Sequence, residues 1–113
     1  MLTWPAGVKV FVCTRATDMR CGFDSLVEQV RRFLGEDPLG GSLFVFRNKR
    51  GDRLKILYWD GTGFWICAKR LEKGTFRWPM AGDGGDELDS AQLLLLLGGL
   101  DLKQVQPRGW YGR

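Results

Sequence analysis

The chain has no histidine. That absence removes Ser–His and Cys–His nucleophilic sites, His-containing zinc sites and the side chain most often used to move protons at neutral pH. Its three cysteines, Cys13, Cys21 and Cys67, form an odd set without a C-x-x-C pair. An all-cysteine zinc site is therefore out of reach, and the pattern points to a reducing compartment where thiols act as small core hydrophobes. No apolar run exceeds five residues, as in Leu93–Leu97, far short of the ~20 that a membrane helix needs. Residues 1–7 lack the basic start and apolar stretch of a secretory signal. Together these absences predict a cytoplasmic chain with no membrane partner, no metal and no cofactor.

What is present fits an ordinary globular composition. The length of 113 residues lies near the commonest domain size, and the 16 glycines are about twice the usual share, which predicts many tight turns. We expect a single α+β domain over residues 1–105 and a flexible tail over 106–113, where Pro107, Gly109 and Gly112 interrupt any period.

Val8, Val10 and Val12 alternate with Lys9 and Phe11, which predicts a strand over 8–14. Phe23, Leu26, Val27, Val30, Phe33 and Leu34 then fall on one helical face, with Arg31 and Arg32 opposite. Asp24 or Ser25 offers the N-cap, Ser25-x-x-Glu28 matches a capping box, and Gly35 is a natural stop. After residue 42 the period changes to two. Leu43–Phe46, Arg53–Trp59, Phe64–Leu71 and Thr75–Trp78 read as strands joined by hairpin-length turns. The expected architecture is an antiparallel meander of four or five strands packed against one main helix. Its second face is expected to carry exposed aromatics. Residues 79–87 are glycine-rich and acidic and read as a loop, followed by a short C-terminal helix from Asp89 or Ser90 to Leu97.

Charge is divided along the chain. Residues 44–78 carry +6, residues 79–102 carry −5, and residues 1–43 are neutral. Arg47, Arg50, Arg53, Lys55, Lys69, Arg70 and Arg77 interleave with aromatic residues, a pattern suited to phosphate contacts with bases stacked on a sheet. If these residues lie on neighbouring strands, they are expected to form one continuous basic surface. The competing reading of the same stretch is an aromatic core with solvated charges around it. Trp59 and Trp65 are the candidate anchors for a protein partner. The carboxylates are less suggestive. A two-metal site needs several converging on ions ~3.5–4 Å apart, whereas Asp52 and Asp60 sit in turns beside glycines. Arg50-Gly51-Asp52 and Gly61-x-Gly63 read as turn chemistry.

Several motifs occur in a fixed order: Thr17-Asp-Met-Arg20, Gly22-Phe-Asp24, Leu43-Phe-Val-Phe-Arg47, Gly51-Asp-Arg-Leu-Lys-Ile-Leu57, Trp59-Asp-Gly61, Lys69-Arg-Leu-Glu72 and Phe76-x-Trp-Pro79. Ala91-Gln-Leu93, a leucine run and Gly99-Leu-Asp101 follow. From residue 7 to about residue 103 this resembles TnpB, the second-frame accessory protein of bacterial insertion sequences of the sixty-six type. It is not the larger RNA-guided nuclease of the same name. The resemblance implies a protein encoded beside a separate DDE-type transposase and needed for efficient movement of the element. It transfers no catalytic residue. Cys21 stands where a basic residue is common in the family, and the Asn48–Lys49 turn varies among its members.

Three function classes follow. The first is a non-catalytic transposition factor that binds DNA, either element ends or single strands, through the basic strip. The second is an adaptor that docks on the transposase through Trp59 and Trp65, with the acidic stretch 83–89 facing a basic partner. The third and weakest is a metal-dependent nuclease.

Overall fold

The computed structural model describes residues 7–78 and 85–98. The expected tail over 106–113 and residues 79–84 of the acidic stretch lie outside them. The elements are β1 (Val10–Ala16), α1 (Phe23–Gln29) continued by a π-helical turn (Val30–Leu34), β2 (Leu43–Arg47), β3 (Arg53–Trp59), β4 (Phe64–Arg70), β5 (Gly85–Leu88) and α2 (Ser90–Leu97). One five-stranded sheet has the order β4-β3-β2-β1-β5, with every pairing antiparallel except β1 with β2. The α+β class, the sheet and both helices agree with the sequence reading.

The parallel pair follows from the connection between its strands. Residues 17–42 hold the helix, long enough to carry the chain across a sheet face, whereas the turns after β2 and β3 permit only hairpins. Strand register then sorts the side chains. Phe11, Cys13, Phe44, Phe46, Leu57, Phe64 and Ile66 meet Leu26, Val27, Val30 and Leu34 of the first helix. On the other face Val10, Val12, Leu43, Val45, Leu54 and Ile56 meet Leu93 and Leu96 of α2, together with Phe76. The face expected to show aromatics is thus covered over β1, β2 and β3, while Trp65 on β4 stays 45% exposed there. Burial also pushes the Cys13 thiol pKa upward, as fits a core residue.

Three local expectations need correction. Thr75–Trp78 is not a strand. Its alternation arises because Phe76 and Trp78 both pack into the core from an irregular segment, held by Phe76 N–H on Gly51 O at 2.8 Å and Trp78 Nε1 on Cys13 O at 3.0 Å. Residues 85–88, expected to lie in a loop, form edge strand β5 against β1. Gly, Asp and Glu have poor strand propensity, but four residues at an edge need only backbone pairing. Third, α1 starts at Phe23 with Gly22 as its N-cap and no side-chain cap, so the Ser25–Glu28 capping box does not form. The capping box appears instead on α2, where Asp89 and Gln92 exchange bonds of 2.8 and 2.9 Å.

The helix stop at Gly35 is as expected. Gly35 is left-handed at φ 64°, and Glu36 N–H reaches back to Val30 O at 3.3 Å. Nothing lies within 4 Å of a Cβ built there, so backbone strain alone sets the cost of a side chain. Gly35→Ala should lower stability by about 1–2 kcal/mol. Urea titration of the two proteins checks this.

Candidate nucleic-acid interface

Two loops meet at one end of the sheet. The first, residues 17–22, is tied down by Thr17, whose N–H donates to Arg47 O at 2.7 Å while its side chain meets Gln29 at 3.0 Å. Asp18 accepts from the backbone and guanidinium of Arg20, which holds its carboxyl pKa down to about 2. The second loop, residues 48–52, is organised by Asn48. Its Oδ1 accepts from Gly51 N at 2.9 Å and Arg53 N at 3.1 Å, and its Nδ2 donates to Asp52 at 2.7 Å. That last bond lowers the Asp52 pKa. Gly51 supplies the φ of 79° that closes the turn. Lys49 and Arg50 are thereby presented outward from a pre-shaped loop.

Between the loops opens a cleft of about 540 Å³ lined by Asp18, Arg20, Lys49, Arg50, Asp52 and Arg53. A second cleft of about 370 Å³ shares Met19 and Arg53 with it and continues over Lys55, Lys69, Arg70 and Glu72. The two form one groove with seven cations against three carboxylates. Arg53 and Arg70 face each other across β3 and β4. Arg20 and Arg50 side chains are 91% and 84% exposed, so their charge reaches solvent.

Of the residues expected from sequence, Arg50, Arg53, Lys55, Lys69 and Arg70 line this groove. Arg47 and Arg77 do not line either cleft. Arg47 is half-buried; it donates to Thr14 O at 2.7 Å and Asn48 O at 3.3 Å and lies 5.9 Å from the Trp78 ring, with Nε buried and unpartnered. It locks β2 to β1. Nor do the strand cations share one face: register puts Arg53, Lys55 and Arg70 on the α1 side and Arg47 and Lys69 on the α2 side. The charge wraps around the β4 edge. Lys55 Nζ also reaches Cys21 O at 2.9 Å, and Lys69 Nζ caps α2 at Leu97 O at 2.7 Å. Arg20 was missed as a site residue because it sits in a loop without a period, although it belongs to the Thr17–Arg20 motif. Lys49 entered the charge count without being assigned to a site.

The aromatic candidates occupy the opposite end of the β3–β4 hairpin, about 20 Å from Arg53 at the usual rise per residue. Trp59 packs edge-on against Phe64 at 4.9 Å. Trp65, 45% exposed, donates to Asp60 at 2.7 Å. Asp60 also accepts from Thr62 N, Thr62 Oγ1 and Gly63 N, and these bonds depress its pKa far below the usual carboxylate range. A carboxyl depressed in the folded state stabilises above its unfolded pKa of about 3.9, and that contribution disappears as pH falls further. Wild type should therefore exceed Asp60→Asn in stability at pH 7, with the gap closing steadily below about pH 4. Thermal unfolding of both proteins from pH 7 to pH 3 measures it.

The sequence profile of the IS66 Orf2-like proteins matches residues 8–107, which includes both loops, the groove and the hairpin. The chain belongs to the IS66 Orf2-like family. Its relatives include "Uncharacterized protein y4hO" of Sinorhizobium fredii, 44% identical over 94% of this chain and 92% of that protein. A second is "Uncharacterized protein y4jC" of the same organism, 41% identical over 88% and 86%. No solved structure matches the chain. Membership in the IS66 Orf2-like family places this chain in a transposition-associated accessory role. Among the described residues no helix is long and apolar enough to cross a membrane.

Proposed function

We propose that this IS66 Orf2-like protein is a non-catalytic transposition factor that grips DNA by its phosphates in the basic groove. The observation that carries the reading is the groove itself, where Arg20, Lys49, Arg50, Arg53 and Arg70 converge from two loops and two strands. Guanidinium groups held on rigid loops suit phosphate oxygens, because their fork matches the anion and little entropy is lost on contact. Among the described residues no aromatic side chain lines either cleft. Stacking on bases is therefore not the main source of affinity, and contacts to the backbone of element ends fit better than base readout. Arg47 supports the fold in this reading, while Arg77 lies outside the groove.

The non-catalytic part rests on the carboxylates. Asp18, Asp52 and Asp60 each accept bonds from their own loop, and among the described residues no three of His, Cys, Asp or Glu cluster closely enough for a metal. Trp59 and Trp65 favour a second contact, in which the hairpin tip docks on the transposase encoded by the same element. The rigid, half-exposed Trp65 is the feature behind it.

The test is retention of labelled element-end duplex as salt is raised. Five phosphate contacts predict a log–log slope of about −4 to −5, hence an affinity loss of about 500-fold between 50 and 200 mM salt. A protein that retains no duplex at low salt, yet co-purifies with the transposase, would leave only the adaptor reading.

A further inference from the structure

We infer that β4 is a dimerisation strand, pairing antiparallel with β4 of a second copy about a two-fold axis at Cys67. Among the described residues β4 pairs on one side only, with β3. Its seven residues contain no proline, and its register with β3 runs without a bulge. An edge of that length presents unpaired backbone groups ready for another chain.

The register shows which groups those are. Leu71 N–H bonds Asp52 O at 2.8 Å and Asp60 N–H bonds Gly63 O at 3.1 Å, which fixes both ends of the hairpin as hydrogen-bonded pairs. Bonded and non-bonded pairs alternate along an antiparallel ladder. Trp65, Cys67 and Lys69 therefore bond to β3, while Phe64, Ile66, Ala68 and Arg70 turn their N–H and C=O outward.

Cys67 is the midpoint of β4, so an axis there uses the whole strand. It pairs Ile66 with Ala68 and Phe64 with Arg70 through the outward-facing groups. It sets Trp65 opposite Lys69 and Cys67 opposite its own copy at non-bonded positions. Each cation near one end meets an aromatic ring near the other end of the partner copy, a favourable match. The like charges of the two copies are kept apart. The exposure of Trp65, Ala68, Lys69 and Arg70 leaves the edge accessible. The opposite sheet edge, β5, offers only four residues. A self-complementary seven-residue strand makes a closed, isologous pair in preference to head-to-tail growth.

The experiment uses the full chain. Sedimentation equilibrium over about a hundredfold range of concentration should show a reversible monomer–dimer system. Ala68→Pro removes one outward N–H without touching a bond to β3, and edge strands tolerate proline there. It should give a monomer with an unchanged circular dichroism spectrum. A second measurement needs no fold-altering variant. Cross-strand non-bonded Cα atoms lie about 4.5 Å apart, inside the range a disulfide spans. Copper–phenanthroline and dioxygen, which take up the two electrons and two protons of a thiol pair, should cross-link the native chain. The Cys67→Ser chain should stay uncross-linked and a Cys21→Ser chain should still link, since Cys13 is buried and the axis brings only Cys67, not the part-exposed Cys21, to its own copy. A strict monomer, a ladder of larger species, or a dimer that survives Ala68→Pro and never links through Cys67 overturns the proposal.

Discussion

Reversing the charge of Lys49 and Arg53 together should abolish retention of duplex DNA at physiological salt while leaving the protein folded. Both side chains are exposed, and neither takes part in an ion pair among the described residues. Arg53 contributes to the Asn48 turn through its backbone N–H, which a glutamate keeps. Surface changes of this kind move stability by no more than about 0.5 kcal/mol. In the proposed function the DNA term is much larger, because losing two phosphate contacts and adding two repulsions both weaken binding. Residual binding at low salt should show a salt slope flattened by about two units, equally on any sequence. Filter binding at several salt concentrations, beside a thermal melt, gives both readings. Normal affinity in the double mutant would remove the groove from the account of DNA binding.

Phe44→Ala should be the most damaging single truncation in the sheet, at about 3–5 kcal/mol. Phe44 is fully buried in β2, stacked on Phe11 of β1 with ring centroids 5.8 Å apart, and packed among Leu26, Val30 and Leu57. It therefore joins the parallel pair to the helix that bridges it. A small domain holds only about 5–15 kcal/mol in all, so the variant should be partly unfolded near body temperature. Denaturant titration at low temperature resolves the loss. Tyr58, half-buried on the opposite sheet face, is a useful control whose truncation should cost less.

How far this molecule can be read from its residues depends on the kind of signal each part carries. The apolar stripe of Leu26, Val27, Val30 and Leu34 repeats at the helical period and ends on a glycine, so it was legible, although Phe23, expected on the same face, is 49% exposed. So were β3 and β4, whose turns are too short for anything but hairpins. Residues 75–78 misled because two inward-facing aromatics two apart imitate a strand. The 85–88 strand was hidden because edge pairing asks for backbone bonds and tolerates acidic, glycine-rich sequence. Leu93–Leu97 carries no stripe that would have shown α2 covering the second face. The strand cations of the groove were visible as charge, and strand alternation already set Arg70 and Lys69 on opposite sides. Arg20 depended on the fold of an aperiodic loop. The inward turn of Arg47 depended on a carbonyl of β1, thirty-three residues away.

Over β1, β2 and β3 the sheet is covered on both faces, by α1 on one side and by α2 with Phe76 on the other. What meets the outside is therefore carried by loops and by one edge. Lys49, Arg50 and Arg20 can be exchanged without disturbing a buried contact, whereas the Asn48 and Thr17 scaffolds beneath them cannot. Such a separation lets recognition drift rapidly while the architecture stays fixed. For a transposition-associated protein, it is a route to changing what is recognised without having to find a new fold.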